Sequence, residues 1–361
     1  MKKLAKILVN YSIKVQKNER ILINMYSIES KQLIKYIIKE IYKNGGIPFV
    51  RIQDNELNSL LLKKTNKKRI QEIKKQAEED NINFDSFIQI RYTENEYESK
   101  LIKPEIKKQL AINLREANEI RINKRKWVLL NYPSLIDAYK ANISNEEFTK
   151  FAFNAMIYDY EKMKKDLEPL RKLMLKTNMV KIISPNTNIE FSIEGMPVIP
   201  CCGEFNIPDG EIYTAPIKNS VNGKIKYNTK SPYNGNIYQN ISLLFKDGKI
   251  IESTSDNDNK MLSKIFDSDE GSRYIGEFAI GINKNILNPI GDILYDEKIK
   301  GSIHFTPGCC YENADNGNKS IIHWDLVLIQ RSEYGGGEIY FDNVLIRKDG
   351  IFVLEELKHL N

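Results

Sequence analysis

Arg20-Ile21-Leu22-Ile23-Asn24 is an apolar run typical of a buried strand, and segments with a helical pattern flank it on both sides. Apolar residues with helical spacing are Leu4, Ile7, Leu8, Tyr11 and Val15 before the run, and Leu33, Ile34, Ile37, Ile38 and Ile41 after it. Gly45-Gly46 then supplies a helix C-cap signal, and residues 47–52 are strand-like again. This pattern predicts helices and strands in alternation.

The same alternation continues through the first half of the chain. Residues 67–79 and 104–123 have helical patterns, and residues 86–90 and 127–130 have strand patterns. We therefore expect a mostly parallel sheet covered by helices. Ser144 and Glu147 form a capping-box signal, and the apolar pattern behind them predicts one long helix that continues towards Lys176.

After residue 178 the turn signals change. Asn222-Gly223, Asp247-Gly248 and Asp349-Gly350 are hairpin-turn dipeptides, and clear strand patterns flank the last two. These strands are residues 241–246 with 249–254, and 343–348 with 351–355, and one helix is predicted near residues 259–266. The predicted fold class is α/β, or α+β overall. We expect an N-terminal α/β domain at 1–178, ending in the long helix, and a β-rich catalytic domain at 179–361.

Composition restricts the function classes. The 361 residues are 41% hydrophobic with a net charge of +6, and lysines alternate with acids without a basic block containing aromatic residues, so we expect no nucleic-acid partner. The amino terminus begins like a signal peptide, but Lys6, Asn10 and Lys14 interrupt it, and no segment reaches the ~20 apolar residues of a membrane span. Cys201-Cys202 and Cys309-Cys310 match neither a disulfide framework nor a zinc knuckle. We expect a cytoplasmic protein without a membrane partner.

Two of the three histidines lie close together in the sequence, at His304 and His323. Residues 321–328 alternate with a period of two, which predicts that His323 and Asp325 lie on one face of a strand, about 6.6 Å apart. Histidine and carboxylate are common ligands of transition metals. The two side chains are thus close enough to reach one metal centre.

Three further residues are candidates for the same centre. Glu277 lies in an otherwise apolar segment, where a lone carboxylate needs a cation, and Glu211 and Tyr311 lie in turn-rich segments. Taken singly, each candidate has an ordinary interpretation: a structural histidine, a buried ion pair, a rim tyrosine or a surface turn residue. Spacing alone therefore leaves the metal site open.

Four motifs carry a family resemblance. They are Asp209-Gly210-Glu211-Ile212-Tyr213-Thr214-Ala215-Pro216, Gly276-Glu277, Gly301-Ser302-Ile303-His304 with Gly308 and Tyr311, and Ser320-Ile321-Ile322-His323-Trp324-Asp325. In order and spacing they resemble the motifs of the aminopeptidase T family of metallopeptidases. A fainter similarity extends through residues 126–133 and 143–148.

The resemblance implies a metallo-aminopeptidase that removes the N-terminal residue from short peptides with a free N-terminus. It implies two divalent metal ions, bound by Glu211, Glu277, His304, Tyr311, His323 and Asp325, with Glu277 as the bridge, and a homodimer. This donor set suits zinc, cobalt or manganese. A bridging carboxylate suits two ions roughly 3.5–4 Å apart. Glu277 is also the preferred residue for proton transfer.

The chain departs from the family pattern at two positions. The family often has an acid five residues before the first histidine, where this chain has Ile299, and its nearest acids are Asp296 and Glu297. Glu312 stands where a proline commonly follows the tyrosine. The first departure leaves the general base open. For Cys309-Cys310, next to Tyr311, a role as a soft third-metal or inhibitory site is one interpretation, and buried small apolar filler is the preferred one.

Two other functions remain open from the sequence. The chain could be a metal-dependent hydrolase of another substrate, because a fold does not determine a reaction. It could also be a peptide-binding protein with a catalytically silent site. Against the second alternative stand the six intact candidate ligands, since clustered carboxylates repel each other and need a cation.

Overall fold

The computed structural model describes residues 1–233 and 235–361, which form two compact units. The first unit contains Met1–Tyr158 and Gly203–Pro208, and the second contains Asp159–Cys202 and Asp209–Asn361. The chain thus leaves the first unit at Tyr158, whereas the change of sequence pattern lies near residue 178. The division into domains at 1–178 and 179–361 stays a prediction.

Eleven α-helices are described within these residues, and several short 3-10 segments and one π-helical turn accompany them. The helices are α1 (Lys2–Lys6), α2 (Lys31–Lys43), α3 (Asn55–Lys63), α4 (Lys67–Asn83), α5 (Pro104–Lys124), α6 (Leu135–Lys140), α7 (Asn145–Met156), α8 (Tyr160–Asp166), α9 (Glu168–Met174), α10 (Asn259–Phe266) and α11 (Ile293–Asp296). None of the helices in the described part of the chain is long and apolar enough to cross a membrane.

The strands of the described residues are mostly short. They are β1 (Arg20–Met25), β2 (Ile47–Ile52), β3 (Ser86–Tyr92), β4 (Lys126–Tyr132), β5 (Met179–Ser184), β6 (Thr187–Ser192), β7 (Ile199–Cys201), β8 (Asn206–Ile207), β9 (Glu211–Thr214), β10 (Asn222–Lys226), β11 (Ser231–Tyr233), β12 (Asn236–Tyr238), β13 (Ser242–Lys246), β14 (Lys249–Thr254), β15 (Ile275–Gly281), β16 (Ser302–Pro307), β17 (Val327–Ile329), β18 (Glu338–Phe341), β19 (Val344–Lys348) and β20 (Ile351–Phe352).

The first unit is built on a five-stranded sheet in the order β2-β1-β3-β4-β8, and all of its strand pairs are parallel. β1 lies next to β2 and β3, and its residues from Ile21 to Met25 are buried, as expected for an inner strand. The apolar stripe of α2 is buried as well, through Leu33, Ile37 and Ile41. The predicted parallel sheet covered by helices is confirmed.

The second unit contains antiparallel sheets, as its hairpin signals predicted. One has eight strands in the order β14-β13-β10-β6-β5-β18-β19-β20, another has five in the order β17-β16-β15-β9-β7, and β11 pairs with β12. Phe191 of β6 contacts Phe278 of β15 and Phe305 of β16, with ring centroids 5.0 and 4.9 Å apart. These rings form a core between the two larger sheets. Because side chains alternate along a strand, Glu277 and His304 project from the opposite face.

The predicted long helix from Ser144 to Lys176 is wrong, because the chain forms three short helices there. The capping box at Ser144 and Glu147 is present at the start of α7, but Ile157 has φ −91° and ψ 85°, outside the helical region. The side chain of Asp159 then accepts a hydrogen bond from Lys162 N and begins α8. A proline lies in the first turn of α9. Local caps therefore interrupt an apolar pattern that is otherwise continuous.

The predicted turn at Asn222-Gly223 is also wrong, since both residues belong to β10. Gly223 has φ +108°, and a Cβ at this position would lie 2.2 Å from the carbonyl oxygen of Asn188 in the neighbouring strand. Gly223 therefore allows two neighbouring strands to approach closely and does not form a turn. The hairpins at Asp247-Gly248 and Asp349-Gly350 and the helix at Asn259–Phe266 are present as predicted.

Candidate metal centre

Three neighbouring strands bring two carboxylates and one imidazole together. β15 pairs with β16, which sets Ala279 opposite His304, and with β9, which sets Gly281 opposite Glu211. His304 Nε2 lies 3.3 Å from Glu277 Oε1 and 3.5 Å from Glu211 Oε2. All three side chains are buried. The register of these strands thus brings together three of the six predicted ligands.

His323 and Asp325 reach the same centre from a segment that is not a regular strand. The predicted strand at 321–328 is wrong in its first part, because β17 begins at Val327 and His323 forms only an isolated bridge with Gly308. The alternation of buried residues nevertheless holds, with Ile322 and Trp324 buried. His323 Nε2 lies 3.2 Å from Asp325 Oδ1 and 3.3 Å from Glu277 Oε2.

The imidazole of His323 is held by the backbone. Its Nδ1 donates a hydrogen bond to the carbonyl oxygen of Cys309 over 2.8 Å. Because a carbonyl can only accept, Nδ1 carries the proton, and in neutral imidazole the Nε2 lone pair then points at the carboxylates. This carbonyl passes close to Gly276, where a Cβ would lie 2.3 Å from it.

Trp324 anchors the other side of this segment. It packs against Tyr233, Tyr238 and Phe266, with ring centroids 4.6, 5.4 and 6.0 Å away. On the site side, Thr306 Oγ1 donates a hydrogen bond of 2.7 Å to Asp325 Oδ1. Both contacts help to fix the orientation of residues 323–325.

Tyr311 lies at the rim of the cluster. Its side chain is 46% exposed, and its ring centroid is 4.8 Å from that of His323 and 5.5 Å from that of Tyr213. Tyr213 in turn donates a hydrogen bond to Asn313 Oδ1 over 2.8 Å. The sixth predicted residue therefore lies beside one of the other five, His323.

The interpretation of Cys309-Cys310 as apolar filler needs correction. Both residues are partly exposed, and Cys310 Sγ donates to Asp315 Oδ1 over 3.1 Å and also lies 3.2 Å from Asn318 O. The backbone of Cys309 holds His323, as described above. These thiols thus belong to a polar loop beside the site.

Glu297 is a residue of the centre that the sequence analysis did not assign. Its carboxylate groups with Glu211 and His304, with potential ligand atoms within 4.8 Å of one another. The sequence signal was the pair Asp296-Glu297, displaced from the position where the family often has an acid. The structure separates their roles, because Asp296 accepts backbone hydrogen bonds from Ile290 and Gly291.

Lys298 and Asp209 were also missed. Lys298 Nζ contacts Glu211 Oε1 at 2.5 Å, Glu297 Oε1 at 2.6 Å and Asp209 Oδ1 at 3.5 Å. A lysine that follows two acids in the sequence, as Lys298 does, normally indicates a solvated face, and only the tertiary structure shows that this one is buried.

In the metal-free cluster, burial and neighbouring charges shift the pKa values in opposite directions. Burial alone lowers the pKa of His304, but Glu211 and Glu277 outweigh it and raise this pKa to about 10. Burial would raise the pKa of Glu277, but His304 and His323 outweigh it and hold this pKa below its ordinary value. Burial raises the pKa of Glu297 to about 8, against the opposing charge of Lys298.

The donor set fits a divalent metal. His323 Nε2 and Glu211 Oε2 are buried and have no hydrogen-bond partner among the described residues, although carboxylates or imidazoles lie within 3.5 Å of each. Two groups of potential ligands are present, Glu211 with Glu297 and His304, and Glu277 with His323 and Asp325. Carboxylate and imidazole together suit divalent first-row metals. The fold thus presents a buried cluster of carboxylates and imidazoles of the kind that metal-dependent enzymes use.

The comparisons with known proteins agree with this class. The chain belongs to the family "Thermophilic metalloprotease (M29)", whose model matches residues 1–350. This membership confirms the resemblance recognised in the sequence, and a metalloprotease family implies a divalent metal.

Similar proteins are named aminopeptidases. Aminopeptidase 2 from Geobacillus stearothermophilus is 28% identical over 161 residues, which are 40% of this chain and 37% of that protein. Aminopeptidase T from Thermus aquaticus is 28% identical over 156 residues, 39% of this chain and 36% of that protein. The matched segments thus span little more than a third of these relatives.

A solved structure shares the fold over nearly the whole chain. Wild-type AmpT from Thermus thermophilus superimposes with a TM-score of 0.82 and 18% sequence identity, and the match covers 98% of both chains. The mixed parallel and antiparallel architecture is therefore that of a known fold.

Proposed function

We propose that the protein is a dinuclear metallo-aminopeptidase that removes the N-terminal residue from short peptides. The observation that carries the proposal is the position of Glu277, whose two carboxylate oxygens each lie 3.3 Å from a different imidazole, that of His304 and that of His323. If both histidines bind metal, a carboxylate that faces the two of them is placed to bridge two ions.

Each ion would have its own protein ligands in addition to this bridge. Glu211 and His304 would hold one ion, and His323 and Asp325 the other, with Tyr311 at the rim. Zinc, cobalt and manganese all suit these donors. When bound, such ions supply Lewis acidity that polarises a peptide carbonyl and makes water more acidic.

Glu297 is our candidate for proton transfer to the leaving amine. Sequence reasoning preferred Glu277, but both oxygens of Glu277 face imidazoles, which leaves neither for a substrate proton. Glu297 has one oxygen paired with Lys298, and its side chain is 13% exposed, more than those of Glu211 and Glu277. Among the three glutamates of the cluster, Glu297 is therefore the most accessible to a substrate proton.

The test combines metal content with peptide turnover. The purified protein is expected to bind two divalent ions per chain and to release leucine or arginine from a dipeptide with a free amino group. A chelator should abolish release, and added metal should restore it. Acetylated dipeptides should not be cleaved.

Variants connect this activity to the proposed ligands. His323→Ala and Asp325→Ala should lose metal and activity while circular dichroism shows a retained fold. His359→Ala is the matched control, because His359 bonds to the Asp166 carbonyl away from the site. Full activity in the two ligand variants would refute the assignment.

Two alternatives have their own outcomes. A metal-dependent hydrolase of another substrate would cleave phosphoesters or other compounds in a panel and leave aminoacyl-anilides intact. A peptide-binding protein with a silent site would bind peptides without turnover. The geometry of Glu277 suits any hydrolase with two metal ions, and the metalloprotease family with relatives named aminopeptidases favours the aminopeptidase.

We further propose a homodimer and a cytoplasmic location. The homodimer is supported by the family resemblance and by apolar side chains exposed on α3, at Leu57, Leu60 and Leu61. Sedimentation that gives only the mass of one chain at working concentration would contradict the dimer.

A further inference from the structure

Lys298 occupies a position in the carboxylate cluster where a cation is required. Its side chain is 1% exposed, and its Nζ contacts one oxygen each of Glu211, Glu297 and Asp209 at 2.5, 2.6 and 3.5 Å. A buried ammonium group persists only when it is paired with carboxylates. Here three carboxylates pair with one ammonium.

The neighbouring donors would also suit a metal ion. Cys201 on β7 is directly opposite Glu211 on β9. Potential ligand atoms of Cys201, Asp209 and Glu211 lie within 4.8 Å of one another. Thiolate with carboxylates is a donor set that zinc and cobalt accept. Lys298 is thus placed beside a third group of ligands.

We propose that the ammonium group of Lys298 takes the place of a third divalent ion. By pairing with one oxygen of Glu211 and one of Glu297, it leaves each carboxylate a single oxygen for the two proposed metal ions. The inference rests on the proposed function. It concerns the number of ions and the positioning of their ligands, which the aminopeptidase assignment does not by itself determine.

Charge balance supports this role. Bound divalent ions would favour the ionised form of every carboxylate here, and Asp209, Glu211, Glu277, Glu297 and Asp325 would then contribute five negative charges to the connected cluster. Two divalent ions and the Lys298 ammonium carry five positive charges. A buried site without net charge avoids a large desolvation cost. A third divalent ion beside Lys298 would upset this balance.

The free oxygen of Glu211 shows the positioning effect. Glu211 Oε1 is paired with Lys298, whereas Glu211 Oε2 lies 3.5 Å from His304 Nε2 and has no hydrogen bond within the described residues. Lys298 therefore directs one oxygen away from the metal pair and leaves the other available to it.

Lys298→Met tests the proposal, because methionine is unbranched and apolar and removes only the ammonium group and part of the chain. Lys284→Met is the matched control, since Lys284 Nζ donates to the carbonyl oxygens of His359 and Asn361. A double variant, Lys298→Met with Asp209→Asn, removes one positive and one negative charge and one ligand of the extra site.

Metal content after equilibrium dialysis against zinc or cobalt is the readout. We expect two ions per chain in the wild type, in Lys284→Met and in the double variant, and three in Lys298→Met. With cobalt, Lys298→Met should gain a thiolate-to-metal charge-transfer band that disappears when Cys201→Ser is added. A solely structural role of Lys298 would not produce this band.

Each outcome has a definite meaning. Folding of Lys298→Met that depends on a divalent ion supports the proposal, because the ion then replaces the ammonium. Two ions in a folded Lys298→Met overturn the proposal and leave the aminopeptidase assignment intact. Failure of this variant to fold even with excess metal also overturns it. A wild type that binds no metal overturns the proposed function together with the inference.

Discussion

Gly276 shows how one residue without a side chain can position a proposed metal ligand, His323. A Cβ there would lie 2.3 Å from the carbonyl oxygen of Cys309, and this carbonyl accepts the hydrogen bond from His323 Nδ1. The hydrogen at Gly276 therefore allows the carbonyl to reach the place from which it orients the imidazole. Such outer contacts orient the ligands and tune the affinity of a metal site.

Gly276→Ala is expected to displace the Cys309 carbonyl and to weaken metal binding by about 10–100-fold. Metal titration followed by calorimetry measures the effect. Gly195→Ala is the control, because a Cβ at Gly195 would meet nothing within 4 Å. Equal metal affinity in Gly276→Ala and wild type would show that the carbonyl does not orient His323.

Thr306 has a comparable role for Asp325. Thr306→Val keeps the shape of the side chain but removes the donor of the 2.7 Å hydrogen bond to Asp325 Oδ1. We expect metal affinity to fall by about 10–100-fold. Stability should fall by only about 1 kcal/mol. Thr306→Ser is the control, because it keeps the hydroxyl and should bind metal nearly as well as the wild type. If Thr306→Ser binds metal as weakly as Thr306→Val, the hydrogen bond does not have this role.

The ends of the helices and strands in this protein are set by caps and turns more than by the apolar periodicity of the sequence. The hairpin of β13 and β14 turns at Asp247-Gly248, where both residues have positive φ. At Gly248 a Cβ would lie 1.9 Å from the carbonyl oxygen of Lys218. The turn thus depends on glycine for conformation and for space.

Gly248→Ala should therefore destabilise the protein more than an alanine at another glycine with the same backbone conformation. Gly317→Ala is the matched control, because Gly317 has φ +80° but open space around its Cα. The control should cost about 1–2 kcal/mol from strain alone. Urea denaturation measures the free energy of unfolding of both variants. An equal loss of stability in Gly248→Ala and Gly317→Ala would mean that the contact with Lys218 is relieved without cost.

At the scale of the whole molecule, the candidate centre belongs to the second unit alone. All six predicted ligands, and also Asp209, Glu297 and Lys298, lie within Asp159–Cys202 or Asp209–Asn361. The first unit, with its parallel sheet, supplies none of them. Binding energy of the metal should therefore stabilise one unit directly.

Chelation is expected to lower the stability of the second unit by roughly 4 kcal/mol if the metal concentration is about 1,000 times its dissociation constant. Hydrogen exchange should then accelerate in β15 and β16 and change little in β1 and β3. An equal acceleration in all four strands would show that metal binding stabilises both units together. Unchanged exchange everywhere would contradict a bound metal.

The amino-acid sequence indicated most of the helices and strands and the parallel and antiparallel sheets, because periodicity and turn chemistry act locally. Through the family resemblance of its motifs it also indicated five residues that the structure brings together, Glu211, Glu277, His304, His323 and Asp325, with Tyr311 at the rim. Tertiary structure decided which of Asp296 and Glu297 enters the centre, and why Lys298 is buried there. It also decided that Asn222-Gly223 lies in a strand and that residues 321–326 are not one. These outcomes depend on contacts between residues far apart in the chain, and a local pattern contains no information about such partners.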